Sequence, residues 1–199
     1  MVSALGSVCS KVNWPILINK GVKEMSEMTT SIALYGEIDE FDTNKWIEFY
    51  RISKELSRNF SFESNYIGLN GEEFKSGKVL TIKRTEKRLL KSLTEGHDLF
   101  SMALISLPEN FTQAAFDYNF YLGREKNEEN DKQSKIILTI SSQEFKRINI
   151  ASIIPALKEF IEFKEGEIFE LSRYEVPLFY ASKINEMKDY ESLKIVSIF

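Results

Sequence analysis

Apolar and polar positions alternate over Ser31-Ile32-Ala33-Leu34-Tyr35-Gly36-Glu37-Ile38, which predicts a strand over 31–38 that turns Ile32, Leu34 and, at its end, Ile38 toward a core. The period then changes. Trp46, Phe49, Ser53, Leu56 and Phe60 recur at helical spacing, Asp42 stands where an N-cap belongs, and Phe41 and Trp46 are spaced as a hydrophobic staple. A helix is therefore expected directly after the strand. Asn70-Gly71 and Ser76-Gly77 punctuate the next stretch, predicting short strands over 66–69 and 79–82 joined by turns. A second helix over 84–93 would bury Leu89, Leu90 and Leu93.

From Asp98 onward the pattern is that of β structure: strands over 99–107, over 115–122 with Phe116, Tyr118, Phe120 and Leu122 alternating, and over 135–140, an antiparallel meander. Gly123 opens a polar run from Arg124 to Gln133, which reads as an exposed, mobile loop. Ile150, Ile153, Ile154, Leu157, Phe160 and Ile161 mark another helix face. Pro155 fits that helix only if it begins near Ser152, and Gly166 is expected to end it. Strands over 168–174 and 193–198 close the chain. The order implies an α+β fold: a largely antiparallel sheet with helices packed on it.

The organisation expected is an N-terminal extension or arm over 1–30 and a single α+β domain over 31–199. Two readings of the first segment stay open. Met25-Ser26-Glu27-Met28 reads like an ordinary start, which would make residues 1–24 an upstream extension; alternatively Trp14, Ile16 and Ile18 anchor a docked arm. The apolar stretch Trp14-Pro15-Ile16-Leu17-Ile18 is far short of a bilayer span. The expectation is no membrane insertion and a cytoplasmic protein.

Composition narrows the function classes. The 199 residues suit one domain, and 26 basic against 30 acidic side chains, net charge −4, weigh against nucleic-acid or anionic-membrane binding over the whole surface. A single cysteine, Cys9, and a single histidine, His97, leave no cysteine-based or histidine-rich metal site and fit a reducing compartment. No glycine-rich strand-to-helix turn is present for phosphates, and no serine sits in a nucleophile elbow. Glu72-Glu73, Glu128-Glu129 and the series Glu159, Glu162, Glu165, Glu167, Glu170 are interleaved with Lys75, Lys126, Lys158 and Lys164, the composition of a solvated surface rather than of paired catalytic carboxylates. No catalytic residue, cofactor or metal is assigned, and the expectation is a protein that is not an enzyme.

Two features point to binding. Lys83, Arg84, Lys87, Arg88 and Lys91 would form a basic stripe on the second helix, an ordinary solvated face or, as the alternative reading, the contact of a nucleic-acid-associated accessory protein. Tyr118 and Tyr121 stand beside the acidic run with Glu128, Glu129 and Asp131. Aromatic anchors next to charge are what an interaction surface needs, so these five residues, with Glu162 and Glu165, are the candidate partner-binding set.

The layout over 31–199, with the segments Leu107-Pro108-Glu109-Asn110-Phe111 and Tyr174-Glu175-Val176-Pro177-Leu178-Phe179-Tyr180, resembles bacterial polymorphic-toxin immunity proteins. That resemblance implies a non-catalytic inhibitor whose partner is one cognate toxin, often a nuclease, blocked at its active site or substrate path.

Overall fold

The computed structural model describes residues 28–39, 42–108, 118–127 and 133–199. Eight strands form one sheet in the spatial order β3-β2-β4-β5-β6-β1-β7-β8, with every neighbouring pair antiparallel. In chain order they are β1 (Met28–Glu37), β2 (Tyr66–Gly71), β3 (Val79–Thr81), β4 (Leu99–Ser106), β5 (Phe120–Glu125), β6 (Ser134–Ser141), β7 (Glu162–Ser172) and β8 (Lys194–Ile198). Five helices are described: α1 (Thr43–Asn59), α2 (Ile82–Thr94), α3 (Ser142–Phe145), α4 (Ile150–Lys158) and α5 (Pro177–Ala181). The α+β class read from the sequence is the observed one. Residues 1–27 are not among those described, so the two readings of the N-terminal segment lie outside them; β1 itself begins at Met28.

Register places the core. Ile67, Leu104, Leu122, Leu138, Ile32 and Ile168 face one another across six strands, and all are buried on one face of the sheet. Helices α1, α2 and α4 cover that face with Trp46, Phe49, Leu89, Leu93, Ile153 and Leu157. The N-cap is where the sequence places it: the Asp42 carboxylate accepts from the Lys45 amide at 3.0 Å. Phe41, the other half of the staple, lies outside the described residues. Across the two outer helices the Glu86 carboxylate accepts from Tyr50 Oη and Lys54 Nζ, both at 2.9 Å.

The Lys54 and Tyr50 hydrogen bonds hold the Glu86 carboxyl below its ordinary value of 4.5. A carboxyl whose folded pKa is depressed adds stability above its unfolded value and loses it as pH falls through the folded one. Glu86→Gln is thus expected to lower the urea midpoint at pH 7 and to leave it unchanged well below pH 4; an equal loss at both pH values would contradict this linkage.

Three sequence expectations need correction. The supposed loop beginning at Arg124 is strand at first: Arg124 and Glu125 complete β5, and Arg124 and Lys126 are buried at 3% and 8% exposure. Their charges are accommodated by partners far off in sequence, described below. Helix α4 starts at Ile150, before Pro155 instead of close to it. The carbonyl left without its amide partner is that of Ala151 on an exposed position, where water can satisfy it. Finally, Gly166 does not stop a helix but lies inside β7, where Phe199 crosses so closely that a Cβ would sit 2.7 Å from its ring.

Candidate functional site

The face of the sheet turned away from α1, α2 and α4 is covered over only part of its width. Across β1, β6 and β7 the short helix α5 and Tyr190 seal it, with Ala33, Tyr35, Ile137, Phe169 and Leu171 beneath. There Glu167 accepts from Tyr35 Oη at 2.7 Å and from Tyr180 Oη at 3.0 Å. Burial first, then the Glu167 charge, pushes both phenols far above their ordinary value of 10, so both remain donors. Over β2, β4 and β5 the same face holds a groove of about 290 Å³.

Small residues make that groove. Gly68, Ala103 and Gly123 lie directly opposite one another on three adjacent strands, and the row continues to Ile137 and Ala33. One step along the strands runs a polar row, Asn70, Ser101, Glu125 and Lys135. One step the other way runs an aromatic and aliphatic row, Tyr66, Ile105 and Tyr121. The trough is therefore apolar at its floor, with a hydrogen-bonding margin on one side and a ring-bearing margin on the other. Leu107, Tyr118, Val79 and Leu178 supply its walls.

Glycine at 123 accommodates a close approach. A Cβ there would lie 2.8 Å from Tyr121 Oη and 2.9 Å from its ring, because the Tyr121 side chain lies along β5 over that residue. Tyr118 packs on it with ring centroids 5.5 Å apart and an interplanar angle of 39°. Burial, followed by the Glu125 carboxylate, raises the Tyr121 phenol far above its ordinary value, and burial does the same for Tyr118. At the polar margin Lys135 Nζ pairs with Glu125 Oε2 at 3.0 Å. The lysine side chain is 4% exposed and the glutamate 35%, so on this shared face the cation is the buried partner and the carboxylate the more open one.

Beneath this site, on the core side, lies a buried charged cluster. The Arg124 guanidinium stacks over Trp46 at 4.2 Å and its Nε donates to the Phe160 carbonyl at 2.9 Å. Burial pushes the Arg124 pKa down to about 10, against the opposing pull of Asp42 and Asp98. Asp98 accepts from Trp46 Nε1 at 3.2 Å, from the Leu99 amide at 2.8 Å and from Lys126 Nζ at 2.8 Å. Strand β5 thus carries a charge on each face, Arg124 toward the helices and Glu125 toward the groove.

Of the residues singled out in the sequence, Tyr118 and Tyr121 are brought together as a pair in the groove wall. Their contact departs from the expected alternation, which set them on opposite faces: β5 begins only at Phe120, so the two-residue period does not extend back to Tyr118. Phe120 is buried as expected, and Phe116 lies outside the described residues. Glu162 and Glu165 are exposed on β7. Glu165 sits on the groove face in register with Tyr35, two strands and about 10 Å from the Lys135 strand, so it flanks the groove without lining it. Glu128, Glu129 and Asp131 lie outside the described residues. Gly68, Ala103, Ser101, Glu125 and Lys135 were not singled out. Each is ordinary in its own strand, and the one local hint was glycine inside the apolar pattern of β2 and β5.

The basic stripe is on the other side of the molecule. Lys83, Arg84, Lys87, Arg88 and Lys91 are all exposed on α2. Arg88 stacks over Phe74 at 4.8 Å and donates to the Glu73 carbonyl, and Lys91 pairs with Glu95 at 3.5 Å. His97 lies in the connection between α2 and β4. Among the described residues no group of three or more His, Cys, Asp or Glu is arranged to hold a metal ion. No described helix is long and apolar enough to cross a membrane.

No family model matches the sequence, and no curated protein matches it. A solved structure, the Pseudomonas aeruginosa T6SS protein PA0821, is similar at 11% sequence identity and a TM-score of 0.48. The likeness covers 73% of this chain and 40% of that one, so the chain matches less than half the length of that protein.

Proposed function

We propose that this chain is a non-catalytic binding protein, an immunity protein that inhibits a cognate bacterial toxin by occluding its active site or substrate path. A nuclease is the toxin class that best suits it. The observation that supports this reading is the half-open sheet face, where the tilted Tyr118–Tyr121 pair borders a trough next to the half-exposed Glu125 carboxylate. Aromatic anchors in a desolvated pocket dominate interface energetics. Carboxylates at the margin steer a basic partner and set its register, and a nuclease cleft is basic because it holds phosphates. An apolar trough left uncovered on a sheet otherwise sealed by α5 is the kind of surface a partner covers.

The test is affinity capture of the tagged chain from its native host, followed by production of the captured partner alone in a bacterium that lacks this chain. The expected result is a stoichiometric complex on size exclusion, arrested growth with the partner alone, and restored growth when both are produced. A captured protein that leaves growth unaffected would contradict the reading. Recovery of nucleic acid instead, lost steeply with added salt, would favour the accessory-protein alternative carried by the α2 stripe.

A further inference from the structure

Resting on the proposed interface, we infer that the groove over β2, β4 and β5 receives an arginine side chain of the partner. Three observations converge on that occupant. First, the wall is a pair of tyrosine rings 5.5 Å apart, faces on which a guanidinium stacks by cation–π attraction while its methylenes cover apolar floor. Second, the margin within reach holds the acceptors of Glu125, Ser101 and Asn70 beside the buried Lys135 ammonium. Glu125 uses Oε2 for Lys135, and its side chain is 35% exposed. Ser101 lies directly opposite Glu125, and Asn70 opposite Ser101. A planar guanidinium, with five donors in a fixed fork, matches such a line better than an ammonium does. Third, the volume of about 290 Å³ admits a side chain as long as arginine, and the floor formed by Gly68 and Ala103 leaves room for its length.

Charge supports the choice over a neutral aromatic anchor. The Glu125 carboxylate is 35% exposed while Lys135 beside it is 4% exposed, and Glu165 stands exposed on the same face. A cation entering from solvent meets the negative end of the Glu125–Lys135 pair first.

Acetyl-arginine amide, titrated into the ¹⁵N-labelled full chain, tests the inference without the partner. Amide shifts are expected to centre on Gly68, Ala103 and Gly123 and to exceed those caused by acetyl-lysine amide or acetyl-norleucine amide. Gly68→Val fills the trough, since a Cβ there meets only Ala103 and Val79 at ordinary contact distances of 3.9 Å, and it should abolish the shifts. Glu125→Gln should weaken binding about tenfold; because it also disturbs Lys135, Gly68→Val remains the decisive variant. Shifts scattered over exposed carboxylates, or equal for arginine and lysine, would overturn the inference. The outcomes separate from those of the proposed function. A partner complex lost in Gly68→Val without any arginine response refutes the occupant and keeps the interface. An arginine response at the groove together with a partner complex untouched by Gly68→Val refutes the interface and keeps the binding site.

Discussion

Asp98→Ala is expected to destabilise the fold by about 3–5 kcal/mol, the range for removing one partner of a buried ion pair. The carboxylate is the acceptor shared by Lys126 Nζ, Trp46 Nε1 and the Leu99 amide, and the Lys126 and Asp98 side chains are 5% and 10% exposed. Its loss withdraws the anion 2.8 Å from a buried ammonium and leaves two further donors without that acceptor. Thermal unfolding should shift by on the order of 10 °C. Asp98→Asn separates the contributions, because an amide oxygen still serves Trp46 and Leu99 but no longer carries the charge that faces Lys126. Asp98→Ala combined with Lys126→Met should be more stable than Asp98→Ala alone, since the second change removes the buried charge. Urea unfolding of the four proteins checks this, and a double variant no better than the single one would contradict it.

Gly36→Ala is expected to cost on the order of 3 kcal/mol, at the upper end for overpacking. Gly36 lies in β1, between β6 and β7, where the β1–β7 register slips by one residue. A Cβ on it would stand 2.0 Å from the Glu162 carbonyl oxygen and 2.9 Å from its carbon. The Glu162 backbone cannot yield as a side-chain tip would, so the start of β7 has to move away from β1. Gly68→Ala is the control, with nothing nearer than 3.9 Å to the new methyl, and its midpoint should stay near that of the unchanged chain. Equal midpoints for Gly36→Ala and Gly68→Ala in urea would show that β7 is not held as closely as the geometry indicates.

These two sites mark where local sequence pattern stops being informative. The α1 cap, the β4-β5-β6 meander and the buried Leu89 and Leu93 follow from period and punctuation within a dozen residues. Arg124 and Lys126 defeated that reading because a charged residue looks solvated until its partners are known. Those partners, Trp46, Asp98 and the Phe160 carbonyl, come from three other parts of the chain. Glu162 to Gly166 was misread for a related reason: this end of β7 carries polar residues on both faces, so it lacks the alternation of a half-buried strand. Of the candidate site, the tyrosine pair was legible as aromatic residues beside charge. The groove was not, since Gly68, Ala103 and Gly123 become one floor only through the register of three strands, which no local period encodes.

The growth-rescue assay, run with variants on the two faces of the sheet, tests the assignment of the groove as the interface most directly. Gly68→Val fills the trough at a site where the backbone tolerates a side chain, and Lys87→Glu reverses a charge on the exposed α2 stripe. Co-production of the Lys87→Glu protein with the partner should restore growth as well as the unchanged chain does, while the Gly68→Val protein, folded by its urea midpoint, should fail to protect. Full protection by Gly68→Val, or its loss in Lys87→Glu alone, would contradict the account and move the interface to the helical face.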